Sequence, residues 1–264
     1  MQQINKITII GAGNMGGSIA RGIVSSGYTT SDKITITRSS ENKLNEWINK
    51  GFNATTDNRS AVEEVDLLIL AVKPYLIAKV TAEFKDLLND KQLIVSVAAN
   101  VTLHDLEECV GADKKLFRLL PNTAIAVQES MTCMSFNENA SQDSYLVEKL
   151  FEKLGEVAVL PENQIVAATA LASCGTAFAM RYLRAAMIGG IEMGLKAPQA
   201  RFMAAQTVKG AAELLLQGTE NPETEIDKVC TPAGVTIKGL NALEHQGFSS
   251  AVIKSLLASF NAMR

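Results

Sequence analysis

Residues Gly11-Ala12-Gly13-Asn14-Met15-Gly16 follow the apolar run Ile7-Thr8-Ile9-Ile10 and open into Ser18-Ile19-Ala20-Arg21-Gly22-Ile23. The order is strand, glycine turn, helix. In such a turn the first glycine permits the tight reversal, the second lets a pyrophosphate approach the backbone, and the third lets helix and strand pack closely. The helix N-terminus then offers free N–H groups to the phosphates. Close to the start of the chain and behind a β-branched run, the pattern implies dinucleotide binding, with Gly11, Gly13, Asn14, Met15 and Gly16 as contacts.

The next strand pattern, Lys33-Ile34-Thr35-Ile36-Thr37, ends in Arg38-Ser39-Ser40. Many NAD-binding chains carry a carboxylate there that accepts from the adenosine ribose. Here a guanidinium and hydroxyls replace it, which suits a 2′-phosphate. Arg38 and Ser39 therefore favour NADPH, with NADH as the alternative. The plainer reading of Arg38 is a solvated charge at a strand end.

The rest of the composition bounds the partners. The chain has 264 residues, 47% of them hydrophobic and 20% charged, with a formal net charge of −3. No basic stripe or long run of like charge marks a nucleic-acid or anionic-membrane surface. Met1-Gln2-Gln3-Ile4-Asn5-Lys6 runs straight into the first strand with no room for a leader, so a cytoplasmic protein is expected. Cys109, Cys133, Cys174 and Cys230 are widely separated, and only His104 and His245 stand beside them as further ligand types, so no metal and no disulfide framework is expected. The uncharged stretch from Gln164 to Met180 is studded with Thr, Ser, Cys and Gly, falls short of the ~20 apolar residues of a membrane span, and reads as a buried helix.

Up to Pro161, short apolar runs alternate with helical patterns: Lys6 to Ile10, Lys33 to Thr37, Leu67 to Val72, Leu93 to Val97, Leu116 to Leu120, Thr132 to Phe136 and Glu156 to Leu160. This is the rhythm of βαβ units. Leu67 to Val72 is apolar at every residue, as a central strand covered on both faces should be. After Pro161 the alternation stops and helix-length patterns follow, broken at Ala197-Pro198, Gly218 to Pro222 and Thr231 to Gly234. The expected fold is α/β: a Rossmann-type, mostly parallel sheet with helices on both faces over residues 1–161, plus an all-helical domain over 162–264. Small residues such as Gly175, Ala177, Gly189 and Gly190 point to close helix packing or a subunit interface. Met180, Met187, Met193 and Met203 read as core fillers. So many apolar positions in a small helical domain imply at least a dimer.

Several further segments, in order, resemble the pyrroline-5-carboxylate reductase family along essentially the whole chain. Beyond the glycine turn they are Asp57-Asn58, Leu70-Ala71-Val72-Lys73-Pro74, Arg118-Leu119-Leu120-Pro121-Asn122-Thr123, Gln206 to Ala212, Thr231-Pro232-Ala233-Gly234-Val235-Thr236, Gly239-Leu240 and Leu243-Glu244. The resemblance implies NAD(P)H-dependent hydride transfer to the cyclic imine 1-pyrroline-5-carboxylate, giving L-proline, and a homo-oligomer that is a dimer or a larger ring of dimers. Asn58, Ala71, Val72, Lys73, Pro74, Ala98 and Ala99 become cofactor contacts by this analogy, with Asn58 toward the adenosine ribose. Thr231, Pro232, Gly234, Val235 and Thr236 become the substrate loop, leading into a helix from Ile237 to Gln246 whose N–H groups suit a carboxylate. Thr236 is the candidate catalytic hydrogen-bonding residue; the alternative is that it merely caps that helix.

The chain departs from the family pattern at Ala233, Val235, Thr176 and Asn100. Alanine does not readily take φ > 0, so Ala233 implies ordinary backbone angles where the family has glycine. Two other functions stay open: another two-domain NADP-dependent dehydrogenase of the β-hydroxyacid type, and a non-catalytic dinucleotide-sensing protein. The Thr231 to Thr236 loop is unexplained by either.

Overall fold

A computed structural model describes residues 4–263. Met1, Gln2 and Gln3, on which the expectation of no leader partly rests, lie outside the described residues. Eight strands form one sheet: β1 (Ile7–Ile10), β2 (Ile34–Thr37), β3 (Asn53–Thr55), β4 (Leu67–Leu70), β5 (Leu93–Ser96), β6 (Lys115–Leu120), β7 (Ser130–Phe136) and β8 (Gly155–Val159). Their order is β3-β2-β1-β4-β5-β6-β7-β8, parallel throughout except for the β6/β7 pair. β3 is the strand that the pattern reading missed. It is three residues long, lies at the sheet edge, and its Asn53-Ala54-Thr55 has no apolar run to reveal it.

The helices α1 (Asn14–Ser25), α2 (Asn45–Ile48), α3 (Asn58–Val62), α4 (Ile77–Ala82), α5 (Leu103–Val110) and α6 (Ser144–Phe151) connect and cover the strands. Side chains alternate faces along a strand, and β4 shows the result. Leu67 and Ile69 join one core with Ile19, Ile36 and Phe151, whereas Leu68 and Leu70 join a second with Val62, Phe84 and Leu106. Each face of the sheet thus has its own apolar layer, which is why every residue of this strand is buried. The chain order along the sheet reverses at β1, which lies between β2 and β4. In open α/β sheets a crevice opens beyond the carboxyl ends of the strands at such a point.

Two polar contacts fasten the last part of this unit. Arg118 on β6 is 3% exposed, and its Nη1 donates to Glu162 Oε1 at 3.2 Å, while the same oxygen accepts from Leu103 N at 2.7 Å. After β8, α7 (Ile165–Thr169) runs into a single π-type turn at Ala170–Cys174. Such a turn disturbs the ordinary i→i−4 ladder, and Asn122 Nδ2 donates to the Ala172 carbonyl there at 3.1 Å. The Pro121-Asn122-Thr123 segment and the Ala172 to Ala177 segment are therefore joined by a hydrogen bond.

Packing divides the chain after Ser173. Residues 162–173, beyond the compositional change at Pro161, belong to the sheet unit because Ile165 is buried against Leu120 and Cys133. The second unit, Cys174–Ala262, is all helical: α8 (Gly175–Glu192), α9 (Ala197–Gln217), α10 (Pro222–Val229), α11 (Val235–His245) and α12 (Phe248–Ala262). α8 and α9 meet at Gly190, where an added Cβ would lie 3.2 Å from Ala200 Cβ. The Tyr182 and Phe248 rings lie 6.3 Å apart.

Two expectations are corrected beyond Pro161. The helical run Glu162–Glu192 is long and apolar enough to cross a membrane by length and composition, and only 17% of its apolar window is buried in the chain. It is not a buried helix of the single chain. Met180, Met193 and Met203 are likewise exposed, together with Ile188, Ile191 and Phe202, so these methionines do not fill a core. Helical periodicity reports which residues share a face but not what covers it.

Candidate active site

The glycine turn shows three separate reasons for glycine. Gly11 has φ +96°, and an added Cβ would lie 2.8 Å from Val72 Cγ1. Gly13, the N-cap of α1, has nothing within 4 Å of an added Cβ, so its free side faces open space. Gly16 is buried beneath the turn, where a Cβ would lie 2.2 Å from the Gly11 carbonyl oxygen. No side chain caps α1 and its first turn holds no acidic residue, leaving backbone N–H groups available to an anion.

A cleft of about 760 Å³ opens over this turn. It is lined by Gly11, Gly13, Asn14, Met15, Arg38, Ser39, Asn58, Ala71, Val72, Lys73, Pro74, Ala98 and Ala99, all named from the sequence, and Gly16 supports it from below. The strand ends bring them together. Gly11 N donates to Thr37 O at 3.2 Å, Ala71 N to Ile10 O at 2.8 Å and Val97 N to Leu70 O at 3.0 Å, so β2, β1, β4 and β5 end at one level. Arg38 Nη1 donates to the Ala12 carbonyl, which ties the guanidinium to the glycine turn. The volume, the backbone cradle and the guanidinium at the β2 end fit a phosphorylated dinucleotide.

Ile10, Ala12, Thr37 and Val97 at the strand ends also line it, as do Thr56, Leu76, Lys79, Val80 and Glu83, which were not foreseen. Leu76 to Glu83 span the start and end of α4, whose apolar pattern reads only as helix, so nothing local marks it as a cleft wall. Asn58 Nδ2 donates to Glu83 Oε2 at 2.7 Å. Next to it, Arg59 makes a two-pronged pair with Asp86 at 2.8 and 2.9 Å and donates to the Glu83 carbonyl at 2.7 Å. The Arg59 hydrogen bonds hold the Asp86 carboxyl below the usual carboxylate range, and Asp86 in turn raises Arg59.

The second unit carries the Thr231 to Thr236 turn. Gly234 N donates to Thr231 O at 3.0 Å, and a Cβ on Gly234 would lie 2.5 Å from Thr231 Oγ1. Gly234 is the N-cap of α11, so Thr236 sits in its first turn and does not cap it. Val235 is 85% exposed. The expectation for Ala233 is overturned: its φ is +59°, the left-handed conformation that glycine takes freely. Asn100 holds φ +59° at its own departure from the family pattern; asparagine tolerates this region better than alanine.

Other candidates fall elsewhere. His104 and His245 lie on helices α5 and α11, His104 within 3.7 Å of Glu108. Cys133 is buried, which pushes its thiol pKa up. Trp47 is buried with its ring 5.2 Å from that of Phe52, a packing role.

The sheet order and the cleft define a dinucleotide-binding α/β protein with an appended helical unit. Residues 6–100 match the family model of NADP oxidoreductase, coenzyme F420-dependent, and residues 162–264 match that of pyrroline-5-carboxylate reductase dimerisation. The chain is 40% identical over 269 residues to pyrroline-5-carboxylate reductase 2 of Dictyostelium discoideum, covering 96% of this chain and 90% of that protein. It is 39% identical over 267 residues to reductase 1 of the same organism, of which it spans about half, 48%. The crystal structure of Plasmodium falciparum pyrroline carboxylate reductase with NADP bound superimposes with a TM-score of 0.89 at 25% identity, covering 100% of this chain and 98% of that one. The chain belongs to the pyrroline-5-carboxylate reductase family.

Proposed function

We propose that this chain reduces 1-pyrroline-5-carboxylate to L-proline with NADPH, NADH serving as the weaker alternative, and acts as a homo-oligomer in the cytoplasm. In this reading residues 1–161 bind the dinucleotide and 162–264 serve the substrate and the partner copy. The observation that carries it is the Thr231 to Thr236 turn: it leads into the free N-terminus of α11 while leaving the Thr236 hydroxyl uncommitted to capping.

Gly13, Asn14 and Met15 hold a pyrophosphate on the N-terminus of α1, and Arg38 with Ser39 holds a 2′-phosphate. Ala71 to Pro74, with Ala98 and Ala99, form the wall that orients the nicotinamide ribose and excludes water. A reduced nicotinamide, when bound, supplies the hydride for the C=N carbon. The chain's own task is positioning and electrostatics. The backbone N–H groups of Val235 and Thr236, with the hydroxyl of Thr231 and the turn shaped by Pro232 and Gly234, bind the substrate carboxylate at α11. Fixing this anion also favours the protonated imine beside it. The Thr236 hydroxyl donates to or accepts from the ring nitrogen and relays a solvent proton; threonine is too weak an acid to do more. The exposed apolar residues of α8 and α9, such as Ile188, Ile191 and Phe202, are the surface a second copy covers.

The test is NADPH oxidation followed at 340 nm with 1-pyrroline-5-carboxylate, alongside NADH and a Thr236→Ala variant. Turnover that falls about 100-fold in the variant, with dinucleotide affinity unchanged, supports the reading. Dinucleotide binding without imine reduction overturns it in favour of a hydroxy acid substrate or a sensing role. Cell fractionation checks the cytoplasmic location, and light scattering the oligomer.

A further inference from the structure

Resting on the dinucleotide reading above, we propose that Glu83 is a specificity-determining residue that weights the adenosine end of the cleft against a 2′-phosphate and so keeps NADH usable. The adenosine end is fixed by β2, whose carboxyl terminus meets the ribose in such folds. Arg38 follows β2 directly and its N–H donates to Thr55 O at 3.2 Å, which brings the end of β3 and then Asn58 alongside it. Asn58 and Glu83 both line the same cleft as Arg38 and Ser39.

The chemistry of the Asn58–Glu83 pair decides its direction. A carboxylate only accepts, so the 2.7 Å contact commits one of the two Asn58 Nδ2 N–H groups to Glu83 and orients the amide. Among the described residues no group donates to Asn58 Oδ1. Beside the remaining Nδ2 N–H, the pair that lines the cleft therefore carries two acceptor groups, an amide oxygen and a carboxylate. A ribose 2′-hydroxyl can donate to them; a fully ionised 2′-phosphate cannot, and it brings a charge of about −2 toward that of Glu83.

Arg38, Ser39 and the nearby Lys79 pull the other way. The arrangement is braced: Arg59 donates to the Glu83 carbonyl at 2.7 Å and pairs with Asp86, so the end of α4 is pinned to α3 independently of the Glu83 carboxylate. Replacing that carboxylate removes charge without releasing the wall. A mixed site of this kind predicts that NADP⁺ and NAD⁺ bind within about tenfold of each other, since exposed charges act weakly on one another.

The experiment is calorimetric titration of the full chain and of Glu83→Gln with NADP⁺, NAD⁺, adenosine 2′,5′-bisphosphate and AMP at low and high salt. Glutamine can still accept from Asn58, so the amide stays oriented and only the charge is lost. The ratio of NADP⁺ to NAD⁺ affinity is expected to rise about fivefold in E83Q at low salt and to fall back toward the wild-type ratio at high salt, as screening demands. The bisphosphate should repeat the gain and AMP should not. A ratio unchanged within twofold, a shift toward NAD⁺, or a shift that salt leaves intact overturns the proposal, and if imine reduction persists it overturns this proposal alone. A wild-type chain that binds neither dinucleotide overturns both the proposal and the functional reading beneath it.

Discussion

A Cβ added to Gly16 would lie 2.2 Å from the carbonyl oxygen of Gly11, whereas one added to Gly13 would meet nothing within 4 Å. These two glycines of one turn should therefore fail in different ways. Gly16→Ala forces backbone to move against a packed strand and is expected to cost about 3 kcal/mol of stability. Gly13→Ala is expected to fold with a melting temperature near wild type while its methyl occupies the space a pyrophosphate needs. Thermal melts paired with NADP⁺ titration check both. A destabilised G13A with intact affinity would contradict the assignment.

Ala233 stands at φ +59° without being glycine. The left-handed conformation costs an L-residue roughly 1–2 kcal/mol, partly offset by the greater freedom glycine adds to the unfolded chain. Ala233→Gly should thus stabilise the protein by about 0.5–1 kcal/mol, measured by denaturant titration. No gain, or a loss, would mean that the turn before α11 is not held in this conformation.

Breaking the Arg118–Glu162 pair should be costly out of proportion to its single contact. Arg118 is almost fully buried, its Nε has no partner among the described residues, and the Glu162 carboxylate also holds Leu103 N. Glu162→Ala leaves a buried guanidinium unneutralised, an expected loss of about 2 kcal/mol after discounting for the partial exposure of Glu162. Adding Arg118→Met should recover part of that loss. A double variant whose deficit equals the sum of the singles would show that the two residues are not coupled.

Acid should weaken the start of α5. Thr102 N and Oγ1 both donate to Asp105 Oδ2 at 2.7 Å, and Asp105 N donates back to Thr102 Oγ1 at 3.0 Å. These hydrogen bonds hold the Asp105 carboxyl below the usual carboxylate range. A depressed folded-state pKa contributes stability above the unfolded value of about 4 that disappears as pH falls below it. Asp105→Asn should be less stable than wild type by about 0.5–1 kcal/mol at pH 7, with the gap narrowing as acid protonates the wild-type carboxylate. A gap that stays constant with pH would remove the charge from the explanation.

The strand–turn–helix signal was legible because Gly11 and Gly16 each meet a close steric demand while Gly13 leaves open space, and because runs such as Leu67 to Val72 can be buried only between two layers. The substrate turn was legible as residues but not as geometry. Alanine at 233 argues for ordinary angles on intrinsic preference, yet its backbone stays left-handed. Glu83 and Lys79 were invisible as cleft residues, since they reach the site only by the crossover of α4 from β4. The exposed Met180, Met193 and Met203 were misread because period 3.6 is the same for a face buried in a core and a face left exposed.

The sequence by itself determined the parallel α/β unit, the glycine turn and the helical character of the rest, since these follow from local sterics and hydrophobic period. Tertiary structure alone decided the order of strands around β1, the cleft wall contributed by α4, the pinning of Asn58 by Glu83 and the packing break after Ser173. Those features depend on contacts between residues far apart in the chain, such as Arg38 with Ala12 and Asn122 with Ala172, which no local pattern encodes.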